Sequence, residues 1–348
     1  MKLSFRRFDL RLTHRWTVAS SLAQGGKDTY PAVFVELNDA DGVIGLGEAA
    51  PSSRYNESAQ TCLEFFERVD ASQLSFDDVA ASMVYVESLS PKDFSPKGAI
   101  NIALLDGAAK KARKTLHDFL GLGFAEGKHV TSFTIGIDTP QMIHRKVQEA
   151  EPFPILKIKV GSPNDAENLA AVRAVAPTKT VRVDANEAWT TKEDALRRIE
   201  WLARDTHIEF IEQPMPASTP PQDFAWLKER SPLPIMADES YLNAHDLSRC
   251  AECFHAVNVK LCKTGGVTRG FEALSAARKA GLKTMLGCMI ESSILTSAGA
   301  HLAELTDYLD LDGNLLITND PFRGVTSERG LMSFATALAP YGLQVQPR

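Results

Sequence analysis

The sequence predicts an α/β fold: a parallel barrel in the later part of the chain, preceded by a mixed α+β domain. Three observations predict it. From residue 129 onward, short apolar runs alternate with helix-patterned stretches, the order of parallel βαβ units. Eight such runs occur, and eight at this spacing fit a barrel better than an open sheet. Polar residues recur near the ends of the runs at intervals of roughly 20 to 30 residues, as expected if strand ends share one mouth.

The first part, residues 1–128, has a different texture. Ala32 to Leu37 reads as a strand by its β-branched and aromatic content. Asp41-Gly42 is a turn signal and Val43-Ile44 restarts an apolar run, which together predict a hairpin. Gly45-Leu-Gly47 lacks the third glycine of a dinucleotide motif and reads as turn geometry. Cys62, Phe65, Phe66 and Val69 predict a helix over 57–69. Ala99, Ile102, Leu105, Ala109, Ala112, Leu116 and Phe119 repeat by three or four, predicting one long helix that ends near Gly121. The barrel strands are predicted at 132–137, 155–160, 180–184, 208–212, 233–238, 257–261, 283–289 and 308–311. The helices between them fall at 141–150, 166–175, 192–204, 224–228, 244–251, 270–280 and 292–305.

Composition bounds the function. A length of 348 residues suggests about two domains, or a barrel with an appendage. The net charge of −6 gives no electrostatic reason to bind nucleic acid, whose phosphates need Lys and Arg. No apolar run approaches the roughly 18 residues of a membrane span, and the charged start Met1 to Asp9 does not resemble a signal peptide. Five cysteines make an odd count that argues against a disulfide framework. A cytoplasmic protein with no nucleic-acid or membrane partner is expected, assembled as a homo-oligomer.

Three predicted strand ends carry acids: Asp184 in Val-Asp-Ala-Asn-Glu, Glu212 in Phe-Ile-Glu-Gln-Pro, and Asp238 in Ala-Asp-Glu-Ser. Each alone could cap the helix that follows. Three on consecutive strands are better explained by a shared cation, and all-oxygen ligands suit Mg²⁺. Lys157 and Lys159 share one face of their strand, because side chains alternate with period two. Lys260 lies four strands away. An ammonium inside a barrel is costly without a partner or a task, so Lys159 and Lys260 are assigned to catalysis. Lys263, just past the strand, is read as reaching solvent. A substrate carboxylate on the ion would have its α-carbon between Lys159 and Lys260. The ion would favour α-proton loss by stabilising the enediolate, and Lys157 would help keep a lysine neutral enough to act as base. One lysine removes the proton and the other returns one to the opposite face, which is racemisation or epimerisation.

Lys-x-Lys, Asp-Ala-Asn, Glu-Gln-Pro, Asp-Glu-Ser and Asn-Val-Lys…Thr-Gly-Gly, in this order, resemble the enolase superfamily, and within it the muconate-lactonizing-enzyme-like subgroup. Gly45 to Pro51 extends the resemblance into the first domain. It implies a modified (β/α)₇β barrel at 129–317 with an N-terminal α+β capping domain at 1–128, completed by roughly 318–348. It implies one Mg²⁺ per subunit on Asp184, Glu212 and Asp238, with Lys159 and Lys260 as the acid/base pair. Asp310 and Asp312 share one strand face, and this Asp-x-Asp resembles the dipeptide epimerase signature. By that resemblance the two acids receive the α-ammonium of an L,L-dipeptide, a charge-assisted hydrogen bond. Thr134 and Glu291, at the ends of the first and seventh runs, are assigned to substrate contact. Glu291 also fits charge matching at a helix N-terminus.

Epimerases of L-Ala-Glu carry an Arg in the early loop of the cap, and Trp16 to Ala23 contains none. Arg15, Lys27 or Arg54 could replace it or be surface charges, and the resemblance therefore points to neutral or hydrophobic dipeptides. The segment 17–29, with Gly25-Gly26, resembles a lid that excludes water on closure. The L-Ala-D/L-Glu epimerases of murein peptide metabolism, N-acylamino acid racemases, o-succinylbenzoate synthases and cycloisomerases remain alternatives. A different class is a Schiff-base lyase with Lys159 as nucleophile, and a further one is a barrel that binds the ion without catalysis. Cys250 and Cys253 read as packing, and His301 as structural.

Overall fold

The computed structural model describes all 348 residues. Its N-terminal part is built on an antiparallel sheet of β1 (Lys2–Trp16), β2 (Lys27–Asn38) and β3 (Ile44–Ala49). Three helices follow: α1 (Ala59–Glu67), α2 (Val79–Ser88) and α3 (Phe94–Lys111). The run from Ala32 to Leu37 is apolar at nearly every position because the sheet is covered on both faces. Val33, Val35 and Leu37 pack with Phe65, Phe66 and Leu104 of the helices, whereas Ala32 and Phe34 join the core shared with the barrel.

The Gly45–Gly47 segment lies within β3 and is not a turn. A Cβ on Gly45 would stand 2.0 Å from the Ala103 carbonyl oxygen, and one on Gly47 would stand 2.0 Å from that of Ala99. The glycines let the backbone of α3 press directly onto the strand. The helix expected to run through Phe119 stops at Lys111 and resumes as α4 (Leu116–Phe119). Between them Arg113 takes a left-handed φ of 53°. The C-terminal chain is held at this break: Leu116 N–H donates to the Gly342 carbonyl, and Gly342 N–H to that of Lys114. No glycine or proline marks the break, so the tertiary contact sets it.

Eight parallel strands follow in sequence order: β4 (Phe133–Ile135), β5 (Ile155–Lys159), β6 (Thr180–Asp184), β7 (Ile208–Glu212), β8 (Ile235–Ala237), β9 (Ala256–Lys260), β10 (Lys283–Gly287) and β11 (Tyr308–Asp310). The first and last meet through a bridge between Thr131 and Leu309, which brings the sheet to near closure. Helices α5 (Pro140–Glu149), α6 (Asp165–Val175), α7 (Lys192–Leu202), α8 (Pro221–Arg230), α9 (Leu247–Cys253), α10 (Leu261–Thr264), α11 (Val267–Lys279) and α12 (Ser293–Ala300) connect them. The helix expected at 244–251 is a 3₁₀ turn followed by α9, and the one expected to reach residue 305 ends at Ala300. At the floor of the barrel Phe210, Met236, Ala256 and Met285 pack together beside Tyr308. The Arg182 guanidinium lies 5.5 and 5.1 Å from the Phe210 and Tyr308 ring centres. The floor is therefore plugged, and the cluster of Asp184, Glu212 and Asp238 lies at the other end.

Past the barrel, β12 (Phe322–Arg323) pairs with β15 (Gln346–Pro347), and β13 (Thr326–Glu328) with β14 (Leu331–Ser333). This tail returns to the N-terminal part: Phe322 meets Phe34 edge-on at 5.0 Å, and Leu343 N–H donates to Asp106 at 2.8 Å. No helix is long and apolar enough to cross a membrane.

Candidate active site

Alternation along parallel strands decides which side chains face the barrel interior. Lys157 and Lys159 on β5, Asp184 on β6, Glu212 on β7, Asn258 and Lys260 on β9 and Asp310 on β11 all project inward. Asp238 and Asp312 follow at the ends of β8 and β11. One carboxylate oxygen each from Asp184, Glu212 and Asp238 lies within 4.8 Å of the others, and all three residues are buried. The sequence placed these acids around one mouth, and the structure brings them together.

Lysines neutralise the cluster. Lys159 Nζ donates to Asp184 Oδ2 at 2.5 Å, and Lys260 Nζ to Asp238 Oδ2 at 2.8 Å. Lys157, only 1% exposed, sits among three carboxylates. Its Nζ is 2.7 Å from Asp310 Oδ2, 3.2 Å from Asp184 Oδ2 and 2.7 Å from Glu212 Oε2. The contact to Glu212 Oε2 is an ion pair without hydrogen-bond alignment, so that oxygen has no aligned donor. Three buried, hard oxygen ligands with one such oxygen fit a divalent cation.

The charges set the proton affinities. Burial pushes the Glu212 carboxyl up, Asp184 adds to the rise, and the result is about 7. Burial also works against the Asp238 charge, but Lys260 and Lys263 outweigh it and hold that carboxyl well below its ordinary value. Burial lowers the proton affinity of Lys260, yet Asp238 more than offsets it and the ammonium ends well above its usual value. Lys157 was expected to help lower the lysine's proton affinity. Its charge does press the Lys260 ammonium downward, but among the protein groups alone Asp238 outweighs it.

Lys263 corrects a second expectation. It does not reach solvent. Its side chain is wholly buried, and its Nζ donates to Asp238 Oδ1 at 2.5 Å, the Asp238 carbonyl at 2.6 Å and the Asn258 carbonyl at 2.9 Å. The single helical turn α10 after Lys260 folds the chain back and brings this lysine inward.

Asp310 accepts from Ser132 Oγ at 2.7 Å as well as from Lys157. Asp312 Oδ2 accepts the Thr134 N–H at 2.6 Å, and the Thr134 hydroxyl lies 3.4 Å from Asp310 Oδ1. Burial and then the Asp310 charge push the Asp312 carboxyl up to about 6. Glu291 is buried, accepts the Met289 N–H at 3.2 Å, and is pushed well above its ordinary value by burial and by Glu48. The cap reaches the mouth through Arg54, which forms a two-pronged pair with Glu187 at 2.7 and 2.8 Å. Arg15 pairs with Asp28 on the surface. The 17–29 segment holds a 3₁₀ turn, Ala19–Gln24, and is tied to the barrel by the Ile137 N–H donating to the Thr17 carbonyl.

Sequence reasoning missed several supporting residues. Asn258, two residues before Lys260, shares its strand face and donates to Glu212 Oε1 at 2.8 Å. The same period-two rule could have found it. Gln213 had no such signal. It takes a left-handed φ of 35°, and its Oε1 accepts the N–H groups of Asp238 and Ser240 at 2.9 and 3.0 Å. Cys288, at the end of β10, lies 3.5 Å from Asp312 Oδ1. Cys250 and Cys253 are buried free thiols, as packing requires. His301 is buried against His117 and Phe334, away from the acids.

Known proteins share this architecture. Residues 9–121 match the mandelate racemase / muconate lactonizing enzyme N-terminal domain, and residues 142–320 match the enolase C-terminal domain-like family. The chain is 60% identical over the full length of both proteins to an L-Ala-D/L-amino acid epimerase of Pedosphaera parvula. It is 38% identical to an L-Ala-D/L-Glu epimerase of Bacteroides thetaiotaomicron, over 95% of this chain and 84% of that one. A dipeptide epimerase from Enterococcus faecalis, in complex with Mg and L-Leu-L-Tyr, superposes with a TM-score of 0.88 at 28% identity, covering 99% of this chain and 98% of that one. The chain therefore belongs to the mandelate racemase / muconate lactonizing enzyme family of the enolase superfamily.

Proposed function

We propose that the protein is a Mg²⁺-dependent dipeptide epimerase. It would invert the α-carbon of the C-terminal residue of an L,L-dipeptide by 1,1-proton transfer through an enediolate. The observation that carries this reading is the placement of Lys159 and Lys260. They come from β5 and β9, and each reaches a different member of one carboxylate cluster. The names of the Pedosphaera parvula and Enterococcus faecalis relatives support it.

Asp184, Glu212 and Asp238 would hold one Mg²⁺ per subunit. When bound, the cation supplies positive charge that stabilises the carboxylate of the substrate as its α-carbon loses a proton. Lys159 and Lys260 move that proton: one Nζ takes it from one face, and the other Nζ returns one from the opposite face. Lys157 keeps the inner ends of Asp184, Glu212 and Asp310 in register. Asp310 and Asp312 accept the substrate α-ammonium, whose charge relieves the repulsion between them. Thr134 and Glu291 complete the proposed substrate-binding set.

Neutral or hydrophobic side chains are the proposed preference. Arg54 is engaged by Glu187, Arg15 pairs with Asp28 on the surface, and Lys27 lies over the Tyr30 ring. A homo-oligomer in the cytoplasm is the proposed setting, and sedimentation equilibrium reads its mass.

The test is an L,L-dipeptide library incubated with the protein and Mg²⁺ in D₂O, followed by mass spectrometry. Neutral dipeptides gain one mass unit and a second diastereomer. A library without any shifted member overturns the reading.

A further inference from the structure

We propose that Lys263 is the positioning residue of the ion site, holding the cation-facing geometry of Asp238 and, through Asn258, of Glu212. This inference rests on the Mg²⁺ site proposed above and adds a residue that touches neither ion nor substrate.

The geometry carries it. An ammonium has three N–H donors, and Lys263 directs them at three protein oxygens: Asp238 Oδ1, the Asp238 carbonyl and the Asn258 carbonyl. Its side chain has no solvent exposure and no donor left for a substrate. The bonds fix Asp238 from both sides of its Cα, at the main chain and at the carboxylate, so rotation about the side-chain torsions is blocked. With Oδ1 held, Oδ2 is the oxygen turned toward Lys260. Gln213 holds the remaining main-chain group, accepting the Asp238 N–H.

The second arm runs through Asn258. Lys263 anchors the carbonyl of Asn258, whose side-chain amide donates to Glu212 Oε1. There is no slack behind this amide: a Cβ on Gly287 would stand 2.6 Å from Asn258 Oδ1. Lys263 thus connects two of the three ion-binding strand ends. Groups that orient ligands from behind typically change metal affinity by about 10- to 100-fold when removed.

Two effects of losing Lys263 oppose each other, which makes the test decisive. Deleting a positive charge beside the acids, by itself, tightens cation binding. Releasing Asp238 and Asn258 weakens it. Mg²⁺ affinity is measured by isothermal titration calorimetry on the full-length protein, with thermal unfolding recorded without Mg²⁺. Lys263→Met is expected to bind Mg²⁺ at least about tenfold more weakly than the wild type. Lys263→Arg keeps the charge, but its planar fork does not reproduce three donors converging from one atom. It is expected to bind Mg²⁺ several-fold more weakly as well, and it decides the matter if Lys263→Met fails to fold.

Lys263→Met binding Mg²⁺ as tightly as the wild type or tighter overturns the inference and leaves the proposed ion site standing. So does Lys263→Arg at wild-type affinity. A wild-type protein that binds no Mg²⁺ overturns both readings. A variant that merely melts earlier, with ion affinity intact, reduces Lys263 to a packing role and also overturns the inference.

Discussion

Lys159 and Lys260 each rest on a carboxylate, but neither has its donors exhausted in the way Lys263 does, and that difference separates a proton carrier from a brace. Lys159→Ala and Lys260→Ala should each abolish epimerisation, because a one-sided site removes a proton without returning one to the other face. Chiral chromatography of a reacted neutral dipeptide checks this, and a double-digit percentage of activity in either variant contradicts the two-base scheme. A different residue-scale prediction concerns His301. Its Nδ1 accepts the N–H of His117 and lies 2.8 Å from His117 Nδ1. Burial, reinforced by His117, pulls its pKa down to about 3. The imidazole is thus neutral when folded, while the unfolded chain takes up a proton below about 6.5. Stability is lost as pH falls from that value toward 3, by at most about 1.4 kcal/mol per pH unit. Glu48 and Glu57, pushed up to about 7 chiefly by burial, act with the opposite sign. The test is therefore the difference between two profiles: His301→Gln should decline less steeply than the wild type between pH 6.5 and 5 in urea unfolding. Parallel profiles would refute the assignment.

At the scale of elements, the sequence is most legible where one face of a strand or helix is buried, and least where the buried face changes. The barrel strands and the positions of Asp184, Glu212 and Asp238 follow from alternation and spacing, and their ends were legible to within a few residues. β1 was not recognised, for a physical reason. Leu3 and Phe5 pack toward the cap helices, whereas Phe8, Leu10 and Leu12 pack toward the barrel. Arg6 and Arg7 stand exposed between them, so the period-two pattern slips although the ladder to β2 continues through Arg11. The glycines of β3 were misread because a close approach to another backbone leaves the same local signature as a turn. Their role gives a prediction. Gly47→Ala would drive a methyl to 2.0 Å from the Ala99 carbonyl oxygen and 3.2 Å from Ala103 Cβ. Residues Ser95 through Ala109 of α3 are all buried, so the helix has nowhere to retreat. Overpacking at such a contact should cost about 2–3 kcal/mol. Urea unfolding measures it, and a loss below about 0.5 kcal/mol would mean the two elements part more easily than their packing implies.

For the whole molecule, the acids come from three separate βα units, and two of the groups that hold them, Asn258 and Lys263, come from a fourth, at β9. Motif order in the sequence revealed the ligands, because each acid ends a strand. It did not reveal the braces, because these depend on turns such as α10 and the left-handed Gln213 that bring side chains back across strand boundaries. An ion bound at this junction ties together β6, β7 and β8, so its binding energy becomes folding energy for the entire barrel. A ligand at a hundredfold its Kd adds about 2.7 kcal/mol to a fold that alone binds it. Unfolding entropy grows with chain length, which for a chain of this size turns that gain into a Tm rise of about 3–5 °C. Saturating Mg²⁺ should therefore raise Tm by that amount over protein in EDTA, and EDTA should abolish epimerisation until Mg²⁺ is restored. Asp238→Asn should lose the Mg²⁺-dependent rise while keeping a cooperative transition, since the amide is isosteric but lacks the charge that attracts the ion. A Tm that ignores Mg²⁺ in the wild type, or a rise that survives in Asp238→Asn, would show that the ion binds elsewhere than between these three strand ends.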